Sequence, residues 1–485
     1  MLDNKIKIYN TLSGKKDLLK PLKGKQVHLF VCGPTVYDFS HIGHARTYII
    51  FDCFAKYLTS LGFSVFYLQN ITNVDDKIIA RAREKGVPPT DLAQAFEKDY
   101  LKDMKLLGID SVRKYARATD YIKEIISQVE RLTEKSYAYK LEDGIYFDIS
   151  KFKEYGKLSN RTALQAEDSV SRIDYSAQKK NRGDFCLWKF NEHIEGEPSW
   201  DAPFGKGRPG WHIEDTAITE KFFGAQYDIH GGGRDLIFPH HEAEITQMEA
   251  ISDKKPMAGY WMHTGFLTIN GQKMSKSLNN SIFIPDFLKR HSVQEMRFWI
   301  AKQLWHSPVD YSESIMIEVK SALEKIDEFL RKIVLVKNAK AGRREIWQSQ
   351  PFSRLAKKID VKKLQENFYK ELNDDFNTPK AFAVIFTFIK ETNKYFDDNV
   401  VGKKDAGQIY AFFKEINEIF GIFDFKKLTK SNVPGEVSQL VQDREASRKS
   451  SDWQKADEIR AEIEKYGFSV EDSSNGPVIK KICNK

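Results

Sequence analysis

The sequence contains few cysteines and no long apolar segment. Four cysteines (Cys32, Cys53, Cys186 and Cys483) are spread over 485 residues, which argues against a disulfide framework and favours a reducing compartment. No apolar run approaches the roughly 18–20 residues that span a bilayer. The first ten residues, MLDNKIKIYN, lack the apolar core of a signal peptide. We therefore expect a cytoplasmic protein with no membrane partner.

A strong excess of charge of one sign is also missing, except in one region. The net charge is +8, and 41% hydrophobic with 30% charged residues is typical of a soluble globular protein. The length predicts about two to four domains. Between Ser321 and Lys370, however, 13 Lys and Arg residues face 6 Asp and Glu residues. This excess favours a polyanionic partner, although a solvated helix face explains it equally well.

The pattern of apolar residues predicts a βαβ unit near the N-terminus. The run Gln26–Cys32 is apolar and β-rich, a helical period follows up to Gly62, and Ser64–Asn70 is a second strand. A strand, a helix and a strand in this order imply a parallel sheet.

Beyond this unit the patterns change from mixed to helical. Thr378 is predicted as the N-cap of a helix with Pro379 at its first position. The other predicted segments are helical structure from Pro89 to about Lys135, a hairpin at Leu141–Ser150, an irregular insertion at Tyr155–Phe190, β-type segments at Tyr227–Gly233 and Trp261–Gly271, helices beyond Ser312, a linker at Thr429–Glu436, and a helix at about Ser438–Tyr466 before a short β-like tail.

The first chemical motif is HIGH, at His41–His44, where the predicted strand leads into a helix. A helix N-terminus offers unpaired N–H groups and partial positive charge, so it attracts phosphate. The two imidazoles would add donors to a phosphoryl group whose charge builds in a transition state. Gly43 would let the backbone approach the ligand. Alternatively, His41 and His44 only cap the helix.

The second motif is KMSKS, at Lys273–Ser277, whose lysines are suited to clamp a departing pyrophosphate. HIGH and KMSKS in this order resemble the ATP site of class I aminoacyl-tRNA synthetases. Over essentially its whole length the chain resembles the cysteinyl-tRNA synthetase family. The matching stretches are VCGPTVYDFSHIGHARTY, NITNVDDKI, GRPGWHIED, DIHGGGRDLIFPHHEAEI, KMSKSLNN, DDFNTPKA and DWQKADEIRAEIEKYGFSVEDSSNG.

The resemblance implies an α/β fold with a Rossmann-like parallel-sheet catalytic domain and an inserted connective segment. An α-helical bundle and a small C-terminal α+β unit would follow. The expected segments are the first half of the catalytic domain (1–140), the inserted segment (141–205), the second half (206–260), a KMSKS-bearing stem-contact segment (261–311), a tRNA-binding helical bundle (312–428) and a C-terminal anticodon-binding unit (436–485).

The implied activity joins L-cysteine to ATP, with Mg²⁺, and transfers cysteine from the adenylate to the 3′ end of tRNA(Cys). The cysteine carboxylate is the nucleophile, so catalysis is positioning and charge stabilisation. We expect a monomer rather than a homodimer. The implied catalytic residues are His41, His44, Lys273 and Lys276, and the ATP-binding residues are Thr35, His41, Gly43, His44 and Lys276.

The resemblance also implies one zinc ion, held by Cys32, Asp215, His240 and Glu244. Zinc would favour a substrate thiol over the harder hydroxyl of serine. Asp215 stands where the commoner motif, GWHIEC, has a cysteine. Aspartate can ligate zinc through oxygen, as a harder donor. Alternatively, Asp215 caps the following helix, and the metal is lost or has three protein ligands.

The cysteine pocket is expected to contain Thr72, Trp211 and Asp235. Asp235 would bind the α-amino group, or equally would cap a turn. For the three other histidines near the metal positions, an outer-shell or structural role is favoured over ligation. They are His212, His230 and His241.

Anticodon contacts are assigned by resemblance to Trp453 and Arg460. Between Lys430 and Lys485 there are 10 basic and 10 acidic residues, so bulk charge does not support RNA binding there. A packing role for Trp453 is the alternative.

Two rival functions follow from the same sequence. A related ligase passes activated cysteine to an amino-sugar, and its members lack the tRNA-binding C-terminal region, which this chain has after Ser312. A non-catalytic RNA-binding paralogue would be expected to lose HIGH or KMSKS, and both are intact.

Overall fold

A five-stranded parallel sheet lies at the centre of the larger structural unit, which comprises Met1–Phe329 and Val336–Phe423. The computed structural model describes residues 5–161, 178–191, 196–274, 280–339, 359–397, 401–429, 434–473 and 476–482. Within these ranges, no helix has the length and apolar character needed to cross a membrane.

The strands are β1 Lys7–Asn10, β2 Lys15–Leu18, β3 Gln26–Val31, β4 Ser64–Ile71, β5 Lys114–Arg117, β6 Ala138–Lys140, β7 Gly144–Phe147, β8 Phe185–Phe190, β9 Gly207–Pro209, β10 Tyr227–Gly233, β11 Ala258–Thr264, β12 Leu267–Ile269, β13 Gln272–Lys273, β14 Val309–Tyr311, β15 Phe468–Ser473 and β16 Gly476–Lys481. The helices are α1 Ile42–Ser60, α2 Asp76–Lys85, α3 Pro89–Leu106, α4 Ile122–Glu134, α5 Ile213–Phe223, α6 Glu242–Ser252, α7 Ile284–Leu288, α8 Val293–Ala301, α9 Glu313–Asn338, α10 Val361–Asn373, α11 Thr378–Asp397, α12 Lys403–Phe420, α13 Phe425–Thr429, α14 Gly435–Lys449 and α15 Trp453–Lys465.

The central sheet has the order β11-β10-β3-β4-β5, and all neighbouring strands are parallel. Strand β3 is apolar on both faces, with Val27, Leu29, Phe30 and Val31 buried, as expected for a parallel strand covered on both sides. The unit β3-α1-β4 confirms the predicted βαβ arrangement and the α/β class.

The inserted segment forms a separate antiparallel sheet in the order β6-β7-β8-β9. The predicted hairpin exists, but it spans Ala138–Phe147 rather than Leu141–Ser150. The expectation of irregular structure up to Phe190 is wrong for β8, because Leu187 and Trp188 are fully buried in the core of this sheet. The rest of that expectation falls largely on 162–177, outside the described residues.

The expected helical structure from Pro89 to Lys135 is interrupted. Helix α3 ends at Leu106, Gly108 has φ +69°, and β5 adds an edge strand to the parallel sheet before α4. At four residues, KYAR is too short for periodicity to separate a strand from a helix.

Every regular element described between Ser312 and Lys465 is a helix, as predicted. The predicted N-cap at Thr378 is wrong by one residue, because α11 already begins there. Asn377 lies before the helix, and its side-chain oxygen accepts a hydrogen bond from the Lys380 N–H at 3.3 Å. The Thr378 hydroxyl instead donates to the Gln303 carbonyl at 3.1 Å.

The second structural unit comprises Leu330–Leu335 and Asp424–Lys485. Its predicted single helix is two helices, α14 and α15, separated at Ser451, which has φ +62°. The β-like tail is the antiparallel hairpin β15-β16. Val437, Ile463 and Val470 belong to its core, and Arg444 donates two hydrogen bonds to the Asp472 carboxylate, at 2.8 and 3.0 Å.

Candidate functional site

The predicted site residues lie at the carboxyl ends of the central strands. Cys32 directly follows β3, and its N–H donates to the carbonyl of Gly231 in β10 at 2.9 Å. Thr72 follows β4, where the Val36 N–H donates to the Thr72 carbonyl at 3.2 Å. The crevice at this edge of an open parallel sheet is the usual ligand site of such folds.

Four predicted metal ligands come together there. Cys32 Sγ lies 3.4 Å from Asp215 Oδ2 and 3.5 Å from His240 Nε2. His240 Nε2 lies 3.1 Å from Asp215 Oδ2 and 3.1 Å from Glu244 Oε1. Tetrahedral zinc with ordinary bond lengths requires ligand atoms about 3.3–3.7 Å apart. The two distances from sulfur fall in this range, and the two 3.1 Å distances are slightly shorter. Asp215, His240 and Glu244 lie close enough together to hold one ion.

Burial of these atoms costs folding free energy when no cation is bound. All four side chains are buried. Glu244 Oε1, Glu244 Oε2 and Asp215 Oδ1 have no hydrogen-bond partner in the described chain. Burial, and then the charges of Asp215 and Glu244, raise the pKa of the Cys32 thiol well above its usual value. Burial, and then Asp215, likewise raise the pKa of Glu244. A bound cation would compensate these charges and favour the thiolate.

Asp215 does not occupy the capping position at the start of α5. That position is His212, and Asp215 lies within the first turn. Its side chain is 1% exposed, and its Oδ2 points to the Cys32 and His240 atoms. This placement favours ligation over the capping alternative.

Further histidines surround the donor set. His212 Nδ1 lies 2.8 Å from His240 Nδ1, which leaves His240 Nε2 directed at the other donors. His230 Nδ1 contacts the Tyr227 hydroxyl at 2.7 Å, and His241 Nδ1 contacts His263 Nε2 at 2.8 Å. Burial, as the largest cause, lowers the pKa of His212, His230 and His241, so these rings are neutral. These contacts fix the orientations of the rings. His241 also groups with Cys32 and His240, and His230 and His241 group with Glu244, closely enough to hold a metal ion.

The three expected cysteine-pocket residues lie at different depths. The Thr72 hydroxyl is buried and donates to Glu214 Oε2 at 3.0 Å. Trp211 is half-buried and stacks on the His240 ring, with centroids 4.2 Å apart. Asp235 is exposed, and a Cβ on Gly233 would lie 2.5 Å from its Oδ1. The carboxylate thus folds back over the end of β10.

The HIGH residues form a reciprocal cap on α1. The His44 N–H donates to His41 Nδ1 at 3.4 Å, the His41 N–H donates to His44 Nδ1 at 3.3 Å, and the rings stack 3.8 Å apart. His41 and His44 therefore do cap α1, as the alternative held, and capping does not exclude a contact with phosphate. Because the caps use both Nδ1 atoms, a phosphate would be contacted through Nε2.

Met274, the second residue of KMSKS, lies beside HIGH. A Cβ on Gly43 would lie 3.0 Å from Met274 Cε, and the Ile42 N–H donates to the Ile282 carbonyl at 2.9 Å. The backbone of Lys273 belongs to β13. Lys276 lies outside the described residues.

Gly33 has no room for a side chain, which gives a first prediction. Its Cβ would lie 1.8 Å from the Asn70 carbonyl oxygen. We expect Gly33→Ala to lower the free energy of unfolding by about 1–3 kcal/mol and to reduce activity, because Cys32 is displaced. In α12, Gly407 has no atom within 4 Å of such a Cβ, so Gly407→Ala should stabilise by about 0.5–1 kcal/mol. Urea denaturation measures both; equal stabilities would contradict the argument.

The two expected anticodon residues are on the surface of the C-terminal unit. Trp453 is 57% exposed, and the Arg448 guanidinium lies 5.3 Å from its ring centroid. The packing alternative for Trp453 is therefore not supported. Arg460 is exposed on the same helix, α15.

Two further residues of the site, Glu214 and His263, were not predicted from the sequence. Glu214 is fully buried, bonds Thr72, and leaves Oε1 without a partner in the described residues. His263 links His241 to the Thr11 hydroxyl, 2.7 Å from its Nδ1. Their positions could have indicated a place in the site, because Glu214 directly precedes Asp215 and His263 lies on β11, beside β10.

Solved structures establish the class of fold. Mycobacterium tuberculosis methionyl-tRNA synthetase bound by methionyl-adenylate matches with a TM-score of 0.59 at 14% identity, over 82% of this chain and 92% of that one. The ternary complex of Agrobacterium radiobacter K84 agnB2 LeuRS, tRNA and LeuAMS matches with a TM-score of 0.62 at 11% identity, over 85% and 86%. The fold is that of class I aminoacyl-tRNA synthetases.

Sequence comparisons define the family within this class. Three family models match: the tRNA synthetases class I (C) catalytic domain at 18–321, the DALR domain at 367–424, and the cysteinyl-tRNA ligase anticodon binding domain at 431–476. The cysteine–tRNA ligase of Methanococcus maripaludis strain C7 is 44% identical over 98% of this chain and 99% of the relative. That of Thermococcus gammatolerans is 42% identical over the same shares. The chain belongs to the cysteine–tRNA ligase family.

Proposed function

We propose that this enzyme activates L-cysteine with Mg²⁺-ATP and transfers it to the 3′ end of tRNA(Cys). The observation that carries the proposal is the buried donor set beside the HIGH helix. A cation held there would bind a substrate thiol next to a helix N-terminus suited to phosphate. The match of 431–476 to an anticodon-binding model supports tRNA, rather than an amino-sugar, as the acceptor.

Cys32, Asp215, His240 and Glu244 would hold a zinc ion. When bound, zinc supplies a soft Lewis-acid centre that binds a thiolate well and a hydroxyl poorly. Trp211 would limit the pocket above His240, and Asp235 would receive the α-amino group. Thr72, fixed by Glu214, would contact the substrate from the β4 side.

Thr35, His41, Gly43 and His44 would position the ATP phosphates for attack by the cysteine carboxylate. Lys273 and Lys276 would then stabilise the departing pyrophosphate. Trp453 and Arg460 would contact the anticodon. Action in the cytoplasm as a monomer stays a prediction.

The test is charging of tRNA(Cys), with cysteine and serine as competing amino acids and an amino-sugar as a competing acceptor. Charging of tRNA(Cys) with cysteine and not with serine supports the proposal. Formation of a cysteinyl amino-sugar without charging would replace it with the rival ligase. If the enzyme catalyses cysteine-dependent pyrophosphate exchange but forms neither product, both acceptors are excluded.

A second prediction concerns the KMSKS lysine. Lys276→Ala should slow adenylate formation by about 100-fold or more, because a lost charge contact to the transition state acts on the chemical step. The dissociation constant of cysteine should change little. Stopped-flow adenylate formation and equilibrium binding separate the two effects. Equal losses in both would contradict a role confined to the leaving group.

A further inference from the structure

One face of α2 carries three basic residues, and the first of them lies near Trp211, which stacks on the donor His240. Lys77, Arg81 and Lys85 are spaced four apart, so they share a helix face and advance about 6 Å per step. We call these three side chains the α2 strip. Two nearby carboxylates are engaged elsewhere: Asp76 binds Lys189 and Arg208, and Glu84 binds Arg81 at 2.8 Å. A third, Asp75, accepts a hydrogen bond from the Lys77 N–H at 2.8 Å and interacts with the Lys77 charge.

Aromatic rings lie beside both lysines of the strip. Lys77 Nζ lies 5.5 Å from the Trp211 ring centroid and 5.9 Å from that of Tyr37. Lys85 Nζ lies 4.9 Å from the Phe96 centroid. Across the described residues, neither lysine forms an ion pair. Both ammonium groups therefore lie against aromatic rings, with no direct ion pair to a described carboxylate.

A fourth aromatic residue, Phe39, is exposed beside Phe96. Phe39 is 44% exposed, and it packs against Phe96 and Phe283 with centroids 5.3 and 5.9 Å apart. It precedes HIGH by two residues. An exposed ring fixed by two others offers a flat surface at low entropic cost.

The strip leads toward the buried donors. His240 is buried, Trp211 stacks on it and is half-buried, and Lys77 lies over Trp211 and is exposed. A chain that follows the strip from Lys85 to Lys77 would thus end beside the cysteine pocket. ATP would be held at HIGH and KMSKS, so it does not account for Lys85 or Phe39.

We infer that the α2 strip and Phe39 form a track for the unpaired 3′ end of the tRNA, with the lysines on phosphates and Phe39 stacked on a base. Positive charge with interleaved aromatic rings is the combination that binds single-stranded nucleic acid. An acidic peptide would use the lysines but not the exposed ring. The inference rests on the proposed function and adds the path by which the acceptor reaches the adenylate.

The test compares the double variant Lys77→Gln/Lys85→Gln with Lys98→Gln/Lys102→Gln, which removes two exposed lysines from α3. The first should raise the KM for tRNA(Cys) about tenfold and reduce the slope of log KM against log salt by about 0.7 per lysine. The α3 control should change neither. Lys77→Arg/Lys85→Arg should restore the salt slope.

Phe39 is tested by stacking. Phe39→Ala should slow single-turnover transfer from the adenylate to tRNA about tenfold, and Phe39→Trp should restore it. Both sets of variants should impair transfer far more than cysteine-dependent pyrophosphate exchange, which requires no tRNA.

Two results would overturn the inference. One is an equal loss of exchange and transfer, which would assign the strip to adenylate formation. The other is an equal loss of affinity for tRNA(Cys) with and without its unpaired 3′ nucleotides. Failure of the proposed function is distinguishable, because the unmodified enzyme would then not charge tRNA(Cys) at all.

Discussion

Asp215→Asn is expected to lower zinc affinity by about 100-fold or more and to reduce cysteine charging in proportion. Loss of a residue that only hydrogen-bonds to a metal ligand already costs about 10–100-fold in metal affinity, and Asp215 lies among the donor atoms themselves. Its Oδ2 is 3.4 Å from Cys32 Sγ and 3.1 Å from His240 Nε2. Asparagine keeps the shape but removes the charge. The measurements are zinc content after dialysis and charging before and after chelation and zinc restoration.

Two matched variants sharpen this experiment. Asp215→Cys, which creates the commoner ligand set, should retain zinc at least as well as the native chain. Asp103→Asn is the control, because Asp103 is also buried, and burial raises the pKa of its carboxyl to about 6. It should retain zinc and activity. Full zinc in Asp215→Asn would exclude Asp215 as a ligand, and charging indifferent to chelation would remove zinc from the proposed mechanism.

The sequence predicted the elements that carry strong local signals. Strand β3, helix α1 and strand β4 combine an apolar run, a helical period and a second run, and all three have nearly the predicted bounds. Strand β5 was missed because four residues contain no usable period. Strand β8 was missed because its neighbourhood is polar, although its own side chains are buried.

The metal donors illustrate a different limit. Cys32 and Asp215 are separated by 183 positions, and no local pattern joins such residues, so only family resemblance could propose the set. Glu214 shows what resemblance leaves out. Its role depends on a contact with Thr72 that is 142 positions distant, and a buried carboxylate is not recognisable from its own neighbours in the sequence.

Arg297→Met is expected to lower the free energy of unfolding by about 3–5 kcal/mol, the usual cost of breaking a buried ion pair. Arg297, in α8, is 1% exposed, and its guanidinium donates to Asp52 Oδ2 in the HIGH helix α1 at 2.7 Å. It also donates to the carbonyls of Phe420 and Leu107, at 2.5 and 2.9 Å. One side chain therefore joins α1 to the ends of α3 and α12.

Arg290→Met is the matched control, since Arg290 pairs with Glu313 at 2.7 Å but both are more than half exposed. Its cost should stay within about 1 kcal/mol. Urea unfolding measures both variants; similar losses would show that the Arg297 network contributes no more than a surface pair.

A double variant that removes both buried charges separates the stabilisation by the ion pair from the cost of burying the charges. Arg297→Met/Asp52→Leu should be more stable than Arg297→Met alone, because the single variant leaves the buried Asp52 carboxylate with only the Lys56 ammonium, 2.9 Å away, as its cationic partner. Burial alone would raise the pKa of Asp52, but the charges of Arg297 and Lys56 hold it below its usual value. A depressed pKa contributes stability that is present above the unfolded-state pKa, near 4, and is lost as the pH falls through the folded-state pKa. The double variant should therefore unfold with a weaker dependence on acid than the native chain, and an unchanged dependence would place the acid-sensitive group elsewhere.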